Sequence, residues 1–472
     1  MEIDDKWLLY RITYNILDIG LPSWNIQDNI NISTPVIWPY ILSVFHFLSD
    51  WGMAAKLFGF IIYIFFALLI FKLKKINHEQ KILLYIGVML YFPLAFWSFS
   101  TYETPLSTLM IFYSTYLFYL KGFNSKTAWT IFSSTIFLRP EMLAVIGSAL
   151  IIYLFLNKKI YSNIIFIYIS AVFLYFFYNI YFFDSALPET GYSKWLNNKF
   201  AISNDFYKIL NSLLHLLPAF LINILIFLSF IFTGKYLFKN KNKKNNQILF
   251  SLWTAYLIGL LYHVANGYMH MGYTFRYFTP FIIGMFSVSV FFYKDLSKDL
   301  VNFLQIKKYV LFNYILIYQV FIFIFLSFYT YSADVSLTRA PHRDAMSQST
   351  LNTHINSWGD AAYNFKIKLQ QDRVGREKII YSMNGNWLVG IAQSHLQSID
   401  NIFSPVEKSS NPNIKKCLLL SQEKKEICLY KNAFDFVVLQ GQKKHTIKGL
   451  KNYRVYFEDS QKTITVLKNM EK

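Results

Sequence analysis

Asp4 and Asp5 stand side by side ahead of an aromatic and apolar run from Trp7 to Leu17. A carboxylate shielded from bulk water can take the proton of an attacking hydroxyl. Neighbours on a helix point about 100° apart, so one of the two is expected to face the reacting atoms. An Asp at a helix start also caps free amides and meets the positive end of the dipole. Glu103, in Tyr102-Glu103-Thr104-Pro105-Leu106, is either another such helix-start acid or a second acid for a metal or a substrate hydroxyl. Arg139 and Glu141 flank Pro140 in an apolar stretch. Glu141 is a candidate counter-ion for Arg139. Alternatively Arg139 takes a phosphate, which suits a planar guanidinium. The loop Tyr262 to Pro280 holds His263, His270 and Arg276. It can supply cations to a leaving phosphate, or it can be an interfacial anchor. Two histidines with no carboxylate at ligand spacing do not make a metal site. Lys194, in Leu187-Pro188-Glu189-Thr190-Gly191-Tyr192-Ser193-Lys194, can also approach phosphate.

Those residues need elements to hold them, and the composition says which. The chain is 472 residues long, 54% hydrophobic, 19% aromatic and 15% charged. Soluble domains carry about 25% charged residues. Stretches 209–232 and 309–332 are almost free of charge, and a bilayer core is crossed by roughly 20 apolar helical residues. The chain is therefore read as an integral membrane protein. The net charge of +19 is read as cytoplasmic-loop lysine in a Lys-, Asn- and Ile-rich chain. An anionic partner such as lipid headgroups stays open. No basic helix or aromatic-basic motif points to nucleic acid.

Lysine clusters at 72–75, 121–126, 158–159, 235–244 and 294–308 alternate with lysine-poor turns. Cytoplasmic loops carry the positive excess. The alternation predicts about ten spans: 53–71, 82–100, 103–120, 127–138, 142–156, 160–181, 212–234, 247–265, 278–293 and 309–332. Both ends then lie on the outer side. Residues 1–35 read as an outer loop with the candidate acids, 36–332 as the transmembrane helical domain, and 333–472 as an extracytoplasmic domain. The segment 36–49 is too short to cross and reads as an interfacial or re-entrant helix. Span 127–138 ends at Pro140, which makes a broken hairpin of the kind tolerated where it lines a cavity. The first twenty residues lack the charged-then-apolar pattern of a signal peptide. Either a further helix upstream of Met1 or the second element is expected to do the targeting.

The C-terminal part turns polar. Residues 354–371 repeat apolar positions at helical spacing. Lys378–Ser382, Phe434–Leu439, Tyr453–Phe457 and Thr463–Leu467 read as strands, so a small α/β domain is predicted. Cys417 and Cys428 lie there. In an oxidising compartment they can form a disulfide, and as reduced thiols they are equally plausible. His342 and Arg343 read as solvated linker residues.

The acids and arginines collect at outer helix ends, whereas a coupled transporter more often buries charge near the midplane. In this order they resemble the GT-C class of polyprenyl-phosphate-sugar-dependent glycosyltransferases, and within it the mycobacterial terminal arabinofuranosyltransferase branch. That likeness runs through Asp4, Asp5, Arg11, Asn15, Gly20, Leu21, Trp24 and Asn25, then Thr34-Pro35-Val36-Ile37-Trp38. It continues through Glu103-Thr104-Pro105-Leu106, Arg139-Pro140-Glu141, the Leu187 to Lys194 turn and Arg276-Tyr277-Phe278-Thr279-Pro280. The resemblance implies a mainly α, polytopic GT-C-like bundle with its active site on the outer face of a bacterial cytoplasmic membrane. It implies that Asp4 or Asp5 is the general base, and that the donor is a polyprenyl-phosphate sugar. The acceptor would be a glycan or a lipid-linked hydroxyl of the cell envelope. Arg11, Asn15, Glu103, Arg139, Glu141, Lys194, His270 and Arg276 would bind substrate, with a divalent metal left open. Members of the branch carry a span before the Asp-Asp pair, so one is expected upstream of Met1. Two other readings compete: a flippase for a lipid-linked sugar, and a degenerate, non-catalytic member.

Overall fold

The structure is a computed structural model. It describes residues 5–25, 33, 35–45, 51–100, 102–158, 161–186, 188, 206–240, 246–265, 275–304, 308–332, 361–382, 395–400, 409, 411–440, 450–459 and 464–472. The chain is mostly helical with one small sheet. It divides into two compact units. One holds residues 45–175 and 198–350; the other holds 2–44, 176–197 and 351–472.

The first unit follows from the apolar runs. Its helices are α3 (Trp51–Lys72), α4 (His78–Leu84), α5 (Phe92–Ser98), α6 (Thr104–Lys121), α7 (Lys126–Ser134) and α8 (Met142–Asn157). Most of α9 (Ser162–Phe183) follows, then α10 (Phe206–Leu221), α11 (Ile224–Asn240), α12 (Gln247–Ala265), α13 (Thr279–Phe292), α14 (Leu296–Leu304) and α15 (Lys308–Ser332). A helix or helix pair occupies each of the ten expected positions. Among the described residues, Met53–Lys72, Ser162–Phe183 and Gln247–Ala265 are long and apolar enough to cross a membrane. The pair His78–Met89 and Phe92–Ser98 passes the same test together, bent by 61°. Ile61, Phe65, Phe71, Phe166 and Ile169 lie exposed on α3 and α9. An apolar surface of this kind is what lipid contact requires.

Two differences from the expected spans have physical causes. Expected span 82–100 breaks at a π-turn, Tyr85–Met89, before Pro93 opens α5. Expected span 212–234 is two helices, because Pro218 lies inside α10 and the Asn223 side chain accepts from the Ile226 N–H to open α11. Such breaks free carbonyls that water cannot reach in a bilayer, so protein must satisfy them. Asn223 donates to Ile86 O at 3.0 Å. Gln319 on α15 donates to both Leu90 O and Ile222 O at 2.9 Å. The sequence reading singled out neither residue; each is an amide within an apolar run.

At the centre of this unit α6, α8, α12 and α13 pack together. Every residue of α13 from Thr279 to Phe291 is buried, as expected of a helix that is apolar all round.

The second unit contains α1 (Asp5–Ile19), all but the last residue of α2 (Trp38–Phe45), the last residues of α9 and the C-terminal domain. Its sheet runs in the order β2-β1-β3-β5-β4. The strands are β1 (Ile379–Ser382), β2 (Gln397–Asp400), β3 (Phe436–Gln440), β4 (Tyr453–Glu458) and β5 (Ile464–Asn469). β1 is parallel to β2 and β3, while β5 is antiparallel to β3 and β4. The helix 361–371 covers one face with Ala362, Phe365 and Leu369 against Ile380, Val438 and Val466. The hairpin of α16 (Pro412–Leu418) and α17 (Gln422–Asn432) covers the other, with Ile414, Leu429 and Tyr430 against Ile379, Val437 and Leu467. Cys417 and Cys428 are joined by a disulfide. All four expected strands are present; β2 and the hairpin were not expected.

Candidate active site

In the first unit, three core helices begin at one end and a fourth ends there. Glu103 precedes α6, Glu141 precedes α8, Arg276 lies three residues before α13, and His263 is in the last turn of α12. Both glutamates occupy the cap position, but neither side chain makes a capping bond. They bind arginine instead. One Arg276 Nη2 donates to Glu103 Oε1 at 3.2 Å and to Oε2 at 3.0 Å. Arg139 Nε donates to Glu141 Oε1 at 2.7 Å. The same oxygen lies 3.4 Å from His263 Nε2.

A backbone link joins the two pairs: Arg139 Nη1 donates to the Arg276 carbonyl at 3.4 Å. The Arg276 guanidinium lies 3.8 Å from the centre of the Tyr102 ring, with Trp97 at 5.7 Å and Tyr277 at 5.6 Å. His263 stacks on Tyr277 at 5.2 Å. Glu103, Arg139 and Arg276 are all buried. Buried charges persist only when paired and hydrogen-bonded, and this cluster of two arginines and two glutamates balances itself. Arg139 Nη2 makes no hydrogen bond to the described residues, so the cluster keeps a donor for an anionic oxygen.

In the second unit, Arg11 and Asn15 face the loop after their own helix. Arg11 Nε donates to Trp24 O at 2.7 Å, and its Nη2 donates to Asn25 Oδ1 at 3.1 Å and Leu396 O at 2.6 Å. Its guanidinium lies 4.4 Å from the Trp24 ring centre. Asn15 donates to Ser23 O at 2.7 Å. Asn25 pairs with the backbone of Ser398 in both directions, each at 2.8 Å. It mimics one residue of a further strand on the edge of β2. Arg376 adds an ion pair to Asp18 on α1. Hydrogen bonding to Asp18 pushes the Arg376 guanidinium above its ordinary pKa, which changes nothing at neutral pH. These bonds tie α1 to the loop after it and to the β2 edge.

Asp5 opens α1, but its side chain and Asp4 lie outside the described residues, as do Lys194 and His270. Among the described residues no three His, Cys, Asp or Glu side chains gather to hold a metal. The structure brings Glu103, Arg139, Glu141 and Arg276 together and adds His263, Tyr102 and Tyr277. Sequence reading had His263 only as a loop residue, because a single histidine carries no spacing signal.

Two solved structures carry a likeness to this chain. ArnT from Cupriavidus metallidurans in the apo state matches with a TM-score of 0.55 and 10% identity. The match covers 98% of this chain and 93% of that one. ArnT from Cupriavidus metallidurans bound to undecaprenyl phosphate matches with a TM-score of 0.51 and 10% identity, over 99% and 93% of the two chains. No family model and no curated protein matches the sequence. At 10% identity the likeness is one of fold.

Proposed function

We propose that the chain is a membrane glycosyltransferase that moves a sugar from a polyprenyl-phosphate donor to an extracytoplasmic hydroxyl of a cell-envelope glycan or lipid. The carrying observation is a fold shared along 98% of the chain with a protein also solved with undecaprenyl phosphate. Asp4 or Asp5 acts as general base on the acceptor hydroxyl. The Arg139 and Arg276 pairs take the phosphate end of the donor, with Lys194 and His270 as further cations. Glu103 and Glu141 hold those arginines in place before substrate arrives, so little reorganisation is needed as charge develops on the leaving phosphate. Arg11 and Asn15 act through position, by holding the helix that carries the acids. A divalent metal at the acids is part of the proposal's test.

The lysine alternation and the Cys417–Cys428 disulfide support an outer placement of the C-terminal domain and of the site, on a bacterial cytoplasmic membrane, since disulfides persist in oxidising compartments. The ordered motifs from Asp4 to Pro280 support the closer likeness to the arabinofuranosyltransferase branch.

The test is transfer of radiolabelled sugar from undecaprenyl-phosphate donors in membranes holding the wild type or the Asp4→Asn/Asp5→Asn double variant, with and without a chelator. Label should enter a new product with wild type and fall at least a hundredfold in the double variant, in keeping with loss of a general base, worth about 10²–10⁴-fold. Equal transfer by both proteins would sink the mechanism. Movement of the lipid across vesicles with its sugar linkage intact would favour the flippase instead.

A further inference from the structure

The hairpin of α16 and α17 has an apolar tip that the domain core does not use. Leu419 is 88% exposed and Leu420 43%, at the turn between the helices, and Ile427 on α17 is 49% exposed. The rest of the hairpin is well anchored: Ile414, Cys417, Leu429 and Tyr430 are buried against the sheet, and the disulfide ties the two helices together next to the tip. A firmly held element that presents leucines outward is not a loosely packed loop. Exposed apolar side chains that cluster on a soluble face mark a contact surface.

Charge says what the contact is. Lys415 and Lys416 lie in the last turn of α16, and Lys424 in the first turn of α17; all three are exposed. The segment 411–432 carries five lysines against two glutamates. A cation in the first turn of a helix opposes the helix dipole, so Lys424 is poorly placed for helix stability. The surplus extends to the whole domain. Residues 333–472 hold 21 Lys and Arg against 13 Asp and Glu, a net +8. That departs from the reading that places the positive charge in cytoplasmic loops. Exposed leucines flanked in sequence by exposed lysines are the composition of an interfacial, lipid-facing element: the apolar part enters the headgroup boundary and the cations meet anionic lipid. The same unit contains the end of the apolar helix Ser162–Phe183, so the chain itself keeps the domain within reach of a bilayer.

We propose that the hairpin 412–432 docks its leucine tip into the surface of an anionic bilayer, with Lys415, Lys416 and Lys424 on the headgroups. This rests on the reading of the chain as a membrane protein and not on sugar transfer. A second copy of the chain, or another protein, is the competing occupant.

The test uses the full-length chain in nanodiscs of phosphatidylcholine with or without phosphatidylglycerol. A photoreactive benzoylphenylalanine replaces Leu419, or Met470 as a control that is also exposed in this unit, at 59%. Both positions are at the surface, and mass spectrometry of the intact disulfide confirms the fold. The expected result is phospholipid adducts at 419, several-fold above those at 470 and greater with phosphatidylglycerol. The Lys415→Glu/Lys416→Glu variant should lose that gain. Adducts at 419 no greater than at 470, adducts to protein instead of lipid, or lipid adducts indifferent to headgroup charge would each overturn the proposal. None of these results bears on the transfer assay, so either reading can fail alone.

Discussion

Arg276 and Arg11 are both buried, at 7% and 6% exposure, and among the described residues they use different acceptors. In the helical unit Arg276 meets the Glu103 carboxylate, and Arg139 meets Glu141. In the domain unit Arg11 bonds two backbone carbonyls and an amide oxygen and lies against an indole face. The difference follows from what the backbone offers. Helices consume their own carbonyls, so a cation among helices must find a side-chain acid, or a carbonyl at a turn such as that of Arg276. A loop and an edge strand leave carbonyls open, and a guanidinium can gather several at once. An arginine in an apolar helical unit is therefore an ion-pair problem. Beside a sheet edge, backbone carbonyls join the set of partners an arginine can use.

The largest expected effect comes from breaking an ion pair. Glu103→Gln leaves Arg276 buried without its carboxylate, a cost of about 3–5 kcal/mol, read as a lower unfolding midpoint in detergent. Replacing both partners, as Glu103→Leu with Arg276→Met, should recover most of that stability, and under the proposed function it should not restore transfer. A double variant as unstable as the single would show that charge pairing is not what the site depends on.

Next comes Arg11→Ala, which removes hydrogen bonds of a charged group, worth about 1.5–3 kcal/mol each and not additive. We expect a loss of about 2–3 kcal/mol, seen as faster proteolysis between α1 and the domain. Arg11→Lys should restore little, since an ammonium does not reproduce the fork. Full rescue by lysine would break the comparison, because charge alone would then suffice. The smallest effect belongs to the exposed Arg376–Asp18 pair. Asp18→Asn should cost under about 1 kcal/mol and vanish in high salt.

Legibility follows the range of each interaction. The helix positions and four strands could be read because hydropathy and period are local properties. Strand β2, Gln397–Asp400, is too short and too polar to announce itself, and it is a strand because β1 pairs with it. The lysines of α16 and α17 hid an element whose buried side, Ile414, Cys417 and Leu429, shows only when folded. Glu103 was read as an acid for a helix start, a metal or a substrate, and the structure gives it to Arg276.

By itself the sequence determined the apolar runs, the polar helix ends and the order in which acids and arginines appear along the chain. It did so because a side chain's solubility in lipid or water is its own property. Only the tertiary structure decided partnership. Glu103 meets Arg276 across 173 residues, and Arg11 meets Leu396 across 385. Those choices depend on which backbone carbonyls the fold leaves unpaired and which charges it buries together, and neither is written in any local stretch.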